Sequence, residues 1–367
     1  MLKKKIILAV INDLTYDRRM GRICSALGDA GAEVTLIGRR RQNSKAFNPS
    51  KFKGYRFRCW FNTGPLFYAE YNIRLFFILL FMDADILCAC DLDTAPAIRM
   101  AAWIKRKKSV YDAHEYFSEV PELTHRPGVK AVWEWIAKKT IPDFDLRYTV
   151  GEELATLMGR KYEVHFGVIR NIAPVHQENV QPDVATHQEK ILLYQGALNV
   201  GRGLEACIEA MASLPDWKFW LAGEGDITDH LKAMTIKKGL NDRIVFLGWI
   251  APDQLHPLMK QARLSINLRE QGSLNDYYSL PNKFFDAMHV GLPSINMNYP
   301  EYARIIAKYP CALLIDNVDV DEIVRSVQYL DDHAEAWGAM SLACMEAAKE
   351  YTWENESKKL IDLYSKL

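Results

Sequence analysis

Short apolar runs alternate with longer amphipathic stretches along nearly the whole chain, and this alternation constrains the fold most strongly. In the first half, strands are predicted at residues 6–11, 32–38, 83–90, 109–114 and 145–150. The stretches between them have helical periodicity, including one over residues 94–107. Strands separated by helices of this length run parallel, because each helix returns the chain to the same end of the sheet. The first half therefore predicts a doubly wound α/β sheet.

The second half repeats this alternation. Strands are predicted at 190–196, 217–223, 243–248, 263–268 and 292–297, with helices at 203–213, 226–238 and 253–261. Residues 172–189 are polar, contain two prolines and lack periodicity, which is typical of a linker. We therefore expect two facing Rossmann-like domains, 1–172 and 173–350, with an interdomain cleft that binds ligands.

The composition is that of an ordinary globular protein, with 49% hydrophobic and 25% charged residues. Lys plus Arg and Asp plus Glu both number 46, so no overall charge indicates nucleic acid as a partner. The seven cysteines are scattered, which is typical of free thiols in a reducing compartment and shows no zinc ligand set. The most apolar later stretch, 73–82, is too short to span a bilayer. We expect a cytoplasmic protein.

The segment SLPNKFFDAMHVGLP (279–293) predicts a helix with a cation in its first turn. Pro281 suits the first helical position and Gly291 the residue just past the end. Lys283 then lies at the positive end of the helix dipole, where a cation is unfavourable unless an anion lies nearby.

A second cation precedes the helix predicted at 203–213. Gly201 and Gly203 surround Arg202 after the strand that ends at Gly196. Helix N-termini and arginine both bind phosphate, and glycines allow close approach of the backbone. Because both helices follow parallel strands, we expect Arg202 and Lys283 at one sheet edge, where a diphosphate could bridge them. The alternative for Arg202 is an ordinary turn with a solvated arginine.

Helical spacing places Asn282, Asp286 and His289 on one polar stripe, opposite an apolar face of Phe284, Phe285 and Met288. Asp286 is then a candidate acceptor for ligand hydroxyls. The alternative is a local ion pair with Lys283, which would contribute roughly 0.2–0.5 kcal/mol.

Motifs in both halves resemble glycosyltransferase family 4, whose fold is GT-B. In the second half these are, in order, YQGALNVGRG, WLAGEGD, RIVFLGWI, FFDAMHVGLPSI and YPEYARII. In the first half they are NDLTYDRRM, CDLDTAP and VYDAHEYFSEVPEL. The resemblance covers nearly the whole chain, and is greatest to the branch that writes the glutamate-x7-glutamate signature around Leu-Pro-Asn-Lys.

This resemblance implies a donor site in the second domain. Arg202 would grip the donor diphosphate, Lys283 would be a second phosphate contact, and Asp286 would hold the nucleotide ribose. The implied donor-binding residues are Gly196, Gly201, Arg202, Gly203, Glu224, Trp249, Ile250, Tyr278, Asn282, Lys283 and Asp286.

The sequence departs from the family at three of these places. Asp286 stands where the family has glutamate, which shortens the reach by about 1.5 Å. Tyr278 replaces the acid that touches the donor sugar, so a hydroxyl, backbone N–H groups of 274–279, or the carboxylates of Glu270 or Asp276 would take its place. Ala197 replaces a phosphate-binding arginine.

In the first domain, the resemblance places His114 against the donor sugar, and we expect it to be catalytic together with Arg202 and Lys283. The alternative for a lone histidine is a structural role. Glu115 and Glu119 are candidates to bind acceptor hydroxyls.

The residues after the first strand have two open interpretations. Asp17 would orient the acceptor and Arg18 or Arg19 would meet phosphate, or these residues simply cap the following helix. The C-terminal helix, about 351–367, is expected to pack back on the first domain.

Aromatic and basic residues concentrate at 61–82, 105–108 and 126–139. They fit either a peripheral membrane surface that presents a lipid-linked acceptor, or buried aromatics beside a solvated charged face.

Taken together, the resemblance implies a retaining glycosyltransferase that uses a nucleotide-diphosphate sugar and a glycan or lipid-linked acceptor. It further implies a role in polysaccharide synthesis at the cell surface, without metal or cofactor. Two alternatives stay open, a sugar-nucleotide 2-epimerase on the same fold and a catalytically silent partner in a glycan-assembly complex. The missing acid at 278 argues against the epimerase.

Overall fold

The computed structural model describes residues 2–15, 17–174 and 189–367. The chain divides into two compact units, Met1–Asn171 with Glu354–Leu367, and Ile172–Trp353. Most of the predicted linker 172–189 lies outside the described residues.

The first unit is built on a seven-stranded parallel sheet in the order β3-β2-β1-β4-β5-β6-β7. Its strands are β1 (Lys5–Asp13), β2 (Glu33–Arg39), β3 (Lys53–Phe57), β4 (Ile86–Cys90), β5 (Lys108–Ala113), β6 (Leu146–Thr149) and β7 (Gly167–Val168). Its helices before the second unit are α1 (Arg18–Asp29), α2 (Gly64–Phe81), α3 (Ala95–Lys105), α4 (Pro121–Thr124), α5 (Pro127–Thr140) and α6 (Glu152–Tyr162).

The direction of each crossover decides which face of the sheet a helix of this unit covers. From β1 the chain moves one way to β2 and β3, then returns past β1 to β4 and continues the other way. Because crossovers between parallel strands are right-handed, α1 covers one face of the sheet, and α2, α3 and α5 cover the other. In agreement with this, α3 packs against both α2 and α5.

The second unit has a six-stranded parallel sheet in the order β10-β9-β8-β11-β12-β13. Its strands are β8 (Ile191–Gln195), β9 (Lys218–Ala222), β10 (Ile244–Gly248), β11 (Leu264–Asn267), β12 (Ser294–Met297) and β13 (Ala312–Ile315). Its helices are α7 (Leu204–Ala210), α8 (Thr228–Lys237), α9 (Pro252–Met259), α10 (Leu274–Tyr277), α11 (Asn282–His289), α12 (Pro300–Lys308), α13 (Val320–Asp332) and α14 (Ala334–Glu350).

The last helix, α15 (Trp353–Ser365), packs in the first unit from Glu354 onward. Glu356 is buried and accepts a hydrogen bond from the backbone N–H of Arg170 at 2.8 Å. The ring of Tyr364 lies against that of Tyr148, with centroids 6.4 Å apart.

The predicted fold class is confirmed, since both sheets are parallel and Rossmann-like. The sheets also contain three strands that were not predicted, β3, β7 and β13. All three are edge strands, and β3 and β7 are short and contain glycine, so the sequence has no continuous apolar run there. Helix α11 also begins one residue later than predicted, with Pro281 as its N-cap.

Candidate functional site

Each sheet reverses its strand order at one point, between β1 and β4 in the first unit and between β8 and β11 in the second. Ligands of doubly wound sheets bind beyond the carboxyl ends of the strands at this point. The residues that follow these four strands are therefore where a site is expected in each unit.

In the second unit, Lys283 reaches back over the end of β8. Its Nζ lies 3.3 Å from the Tyr194 hydroxyl oxygen and 4.3 Å from the centre of the Tyr194 ring. A Cβ at Gly196 would lie 3.1 Å from the same Nζ, and the backbone there has φ +126°. Glycine therefore both adopts the turn and leaves room for the ammonium group.

The ammonium group of Lys283 is held among other cations. Burial, Arg202 and Arg269 lower the pKa of Lys283 to about 7, and Asp286 partly offsets them. Among the described residues, no carboxylate lies within ion-pair distance of Lys283 or Arg202. The group would therefore gain from an anion that the site can admit.

Arg269 was not predicted, and it comes from the loop after β11. The Glu270 N–H donates to the Gly201 carbonyl at 3.0 Å, which joins this loop to the one that carries Arg202. Burial and Arg269 both lower the pKa of Arg202, as expected for two neighbouring guanidinium groups. Because β8 and β11 are distant in sequence, only their adjacency in the sheet could reveal this third cation.

Two residues of the stripe predicted on α11, Asp286 and His289, are buried, whereas Asn282 is half-buried. Asp286 accepts a hydrogen bond from Gln195 Nε2 at 3.0 Å, and His289 Nε2 lies 2.7 Å from the Tyr351 carbonyl. The helix is buried from Phe284 to His289 because it packs into the core of the unit. Gln195 Oε1 is also buried, with no hydrogen-bond partner in the described part of the chain.

The remaining predicted donor residues have different surroundings. Asp276, an alternative for the missing acid, forms an ion pair with Arg269 and accepts from Ser273 Oγ at 2.8 Å. Tyr278 follows α10, with its ring centroid 5.1 Å from that of Tyr277. Trp249 is 67% exposed. Three further residues were predicted to bind the donor. Glu224 lies in the turn after β9, Ile250 lies in the turn after β10, and Asn282 is the first residue of α11.

In the first unit, a cavity of about 360 Å³ lies at the strand reversal. It is lined by the carboxyl ends of β1 and β4, by residues just after β2, β4 and β5, and by the N-cap and first turn of α1: Val10, Ile11, Asn12, Asp13, Asp17, Arg18, Arg19, Met20, Arg41, Cys90, Asp91, Asp93 and His114.

Two aspartates of this cavity lie in surroundings that disfavour their charge. Burial and Glu115 raise the pKa of Asp93 to about 8. Burial, Glu115 and Asp93 raise the pKa of Asp91 well above its usual value. Asp93 Oδ1 is buried and has no hydrogen-bond partner among the described residues. A protonated Asp93 could donate to, and its oxygen accept from, a ligand hydroxyl.

His114 lies on the cavity wall with 44% of its side chain exposed. Partial enclosure of the ring by the cavity walls, and then the charges of Arg19 and Arg22, lower the pKa of His114 below its usual value, so the ring is neutral at physiological pH. Asn171 Oδ1 accepts from Arg22, so its amide nitrogen is the donor toward His114 Nε2, 3.4 Å away. The proton of the neutral ring then sits on Nδ1, 4.0 Å from Asp91 Oδ2.

The sequence left two roles open for the residues after β1, ligand binding or capping of α1. Asp17 caps α1 by accepting from the Met20 N–H at 3.0 Å, so its capping role is present. Arg19 forms a buried two-point ion pair with Asp112, both contacts at 2.6 Å, and is unavailable for phosphate. Arg18 lines the cavity.

The two glutamates that were predicted to bind the acceptor have different surroundings. Glu115 acts on the cavity through its charge, whereas Glu119 pairs with Lys130 at 2.6 Å. Within the described ranges, no three His, Cys, Asp or Glu side chains are grouped as metal ligands. No helix among the described residues has the length and apolar character needed to cross a membrane.

Comparison with known proteins shows which proteins this chain is similar to. Residues 176–344 match the family model of glycosyl transferases group 1. An uncharacterized glycosyltransferase of Methanocaldococcus jannaschii is 25% identical over 48% of this chain and 45% of its own length. The 2-deoxystreptamine glucosyltransferase of Streptomyces kanamyceticus is 23% identical over 65% of this chain and 62% of its own length. The matches thus span about half the length of these curated relatives.

Solved structures align over a larger part of the chain. Anabaena HepE in complex with UDP and glucose has a TM-score of 0.76 at 14% identity, covering 99% of this chain and 100% of that one. WaaG, a glycosyltransferase involved in lipopolysaccharide biosynthesis, has a TM-score of 0.72 at 16% identity, covering 98% of this chain and 99% of that one. At these identities the likeness shows the fold. The chain therefore has the GT-B fold, and its residues 176–344 are similar to the glycosyl transferases group 1 family.

Proposed function

We propose that the protein is a retaining glycosyltransferase of family 4 that moves a sugar from a nucleotide-diphosphate sugar to a hydroxyl of a glycan or lipid-linked acceptor. The matched family domain and the glycosyltransferase relatives support the transfer reaction. Structural neighbours that hold UDP or take part in lipopolysaccharide biosynthesis support the donor class and a role in cell-surface polysaccharide synthesis. Retention of configuration rests on the resemblance of the motifs.

One observation carries the proposal, the convergence of Arg202, Arg269 and Lys283 at the strand reversal of the second unit. Burial, and then the charges of Arg202 and Arg269, lower the pKa of Lys283, and of the two arginines only Arg269 is paired, with Asp276, among the described residues. Such an arrangement becomes favourable when a polyanion occupies it. A nucleotide diphosphate has the required charge, and arginine suits its phosphate oxygens.

These cations also fit the chemistry of the transfer. Negative charge grows on the diphosphate as the bond from its oxygen to the anomeric carbon breaks, and positioned cations stabilise that charge. We propose that they do so without a metal ion or cofactor. The orphaned oxygen of Gln195 and the carboxylate of Asp286 lie beside them and would receive hydroxyl groups of the donor.

The cavity of the first unit would take the acceptor side of the reaction. A neutral His114 can accept or donate a hydrogen bond to a sugar hydroxyl without attracting phosphate, and its contact with the donor sugar, implied by the resemblance, stays a prediction. Asp91, Asp93 and Glu115 would supply further hydroxyl contacts. We assign the protein to the cytoplasm, where free thiols persist.

The donor assignment is tested by thermal shift with UDP, GDP, ADP and TDP and their sugars. Bound at about 100 times its dissociation constant, the correct nucleotide should stabilise the protein by about 2.7 kcal/mol. Lys283→Met keeps the apolar stem and removes the charge. A hydrogen bond to a charged group contributes about 1.5–3 kcal/mol, so we expect the variant to bind the nucleotide roughly 10- to 150-fold more weakly.

The matched control is Lys237→Met, at the exposed end of α8 in the same unit, which should bind normally. Binding of the free nucleoside should be unchanged in Lys283→Met, since it carries no phosphate. Equal nucleotide affinity in Lys283→Met and wild type would refute the phosphate role of Lys283. Product analysis by NMR with donor alone separates transfer from 2-epimerisation, because only an epimerase would convert the sugar without acceptor.

A further inference from the structure

The outward sides of three helices in the first unit carry an unusual concentration of exposed apolar residues. Ten of the twenty exposed large hydrophobic side chains in the described part of the chain lie on α2, α3 and α5. We call this surface the outer helical face and define it by Leu66, Ile73, Phe77, Phe81, Met100, Trp103, Ile104, Val129, Val132 and Trp135.

These residues form one surface because their helices form one layer. Helices α2 and α5 both pack against α3, on the same face of the sheet. On α2 the exposed residues recur at helical spacing, whereas Phe67, Tyr71, Leu75 and Leu79 face the core. The helix is thus apolar on both sides. A helix of a soluble protein normally has a polar side toward water, so the exposed side indicates a partner.

The most exposed members are large and aromatic. Phe81 is 89% exposed, Trp103 70% and Trp135 63%. The two tryptophans line a groove of about 430 Å³ between α3 and α5, with Lys139 and the Arg99–Asp143 ion pair beside them. Indole rings next to cationic side chains are typical of surfaces that sit at the level of lipid headgroups.

The charges on the three helices have one dominant sign. Six cations stand on them, Arg74, Arg99, Lys105, Lys130, Lys138 and Lys139, against two acids. Both acids are already paired, Glu70 with Arg74 and Glu134 with Lys161, each at 2.7 Å. Arg99 pairs with Asp143 at 3.9 Å and Lys130 with Glu119 at 2.6 Å, both acids lying outside these helices. Lys138 and Lys139 are exposed and make no ion pair with any described residue. The face therefore complements a negatively charged surface.

We propose that the outer helical face binds the surface of an anionic phospholipid bilayer. The tryptophans and phenylalanines would enter the headgroup region, while Lys138 and Lys139 would meet lipid phosphates. A second copy of the chain fits less well, because two copies of this face would bring like charges together. The proposal does not depend on the proposed function, since lipid binding needs no nucleotide.

The test is flotation of the full chain with vesicles, without nucleotide. Vesicles of phosphatidylcholine with phosphatidylglycerol should carry the protein, whereas phosphatidylcholine alone should carry much less. Added salt should weaken binding. Lys138→Gln and Lys139→Gln should each weaken binding about fivefold. The double variant Trp103→Ala/Trp135→Ala should abolish flotation, and because both side chains are exposed it should still fold.

Matched controls lie on the second unit, Lys237→Gln on α8 and Leu342→Ala on α14, both at exposed positions, and should float like wild type. The proposal is overturned if wild type fails to float with anionic vesicles, or if the control and test variants float equally. Sedimentation that shows a dimer which the tryptophan variant converts to monomer would also overturn it, because the face would then be an interface between copies.

Discussion

At the scale of single residues, charge in this protein is decided by what surrounds each group. Arg19 is buried, yet its pKa lies above the usual value because the charge of Asp112 and two hydrogen bonds of 2.6 Å to it outweigh the effect of burial. Lys283 and Asp93 lie in desolvated places without such a partner, and their pKa values move toward neutrality, to about 7 and about 8. Shifts of this kind concentrate at functional sites.

Asp93→Asn should raise the stability of the protein at neutral pH. The pKa of Asp93 is raised on folding, so between about pH 4 and 8 the unfolded chain loses a proton that the folded protein keeps. The free energy of unfolding therefore falls as pH rises through this window, and the variant should flatten that fall.

Urea unfolding at pH 5 and pH 8 measures the effect. Asp332→Asn, at an exposed position near the end of α13, is the control and should leave the pH dependence unchanged. If the free energy of unfolding of Asp93→Asn falls between pH 5 and pH 8 as much as that of wild type, another group causes the fall, or Asp93 is ionised in the folded protein.

At the scale of elements, the strand ends of the second unit are shaped by glycines that touch one another. Gly223, after β9, has φ +152°, and a Cβ there would lie 1.9 Å from the Gly196 carbonyl oxygen. The Gly196 N–H in turn donates to the Ala222 carbonyl at 2.9 Å. The turn after β9 thus supports the turn that receives Lys283.

Gly223→Ala should destabilise the protein by roughly 3 kcal/mol or more, because it combines a positive φ with a backbone clash. Gly239→Ala is the matched comparison, since Gly239 also has positive φ, +68°, but a Cβ there meets nothing within 4 Å. We expect it to cost about 1–2 kcal/mol.

Chemical denaturation of both variants gives the comparison. If the two cost the same, the close approach of Gly223 to Gly196 contributes nothing and backbone conformation alone matters.

At the scale of the whole molecule, the first unit includes the last helix of the chain, which follows the second unit in sequence. Helix α15 supplies Glu356 to Arg170 and Tyr364 to Tyr148, and Leu363 lies where a Cβ at Gly167 would be 3.2 Å away. The first unit therefore depends on the last residues of the chain.

Deletion of residues 353–367 should loosen the first unit selectively. Hydrogen exchange should rise in β6 and β7, which lose Tyr364 and Leu363, and should stay unchanged in β8. Deletion of residues 366–367 alone is the control, because Lys366 is exposed. Faster exchange in β8 as well, or no change in β6 and β7, would contradict this account.

The sequence by itself determined the parallel sheets, because alternation of apolar runs and amphipathic helices is a local pattern. It also indicated Arg202 and Lys283, since each lies at a helix start after a strand. It did not indicate edge strands such as β3, which bury too little to need a continuous apolar run.

Only the tertiary structure decided which of the candidate residues come together. Arg269 lies near Arg202 because β11 lies beside β8. Arg19 forms an ion pair with Asp112, which is 93 residues away in the sequence. The outer helical face likewise exists only because right-handed crossovers place α2, α3 and α5 in one layer. In each case the partners are neighbours through the sheet and distant along the chain, and a local pattern carries no information about which distant strand will lie alongside.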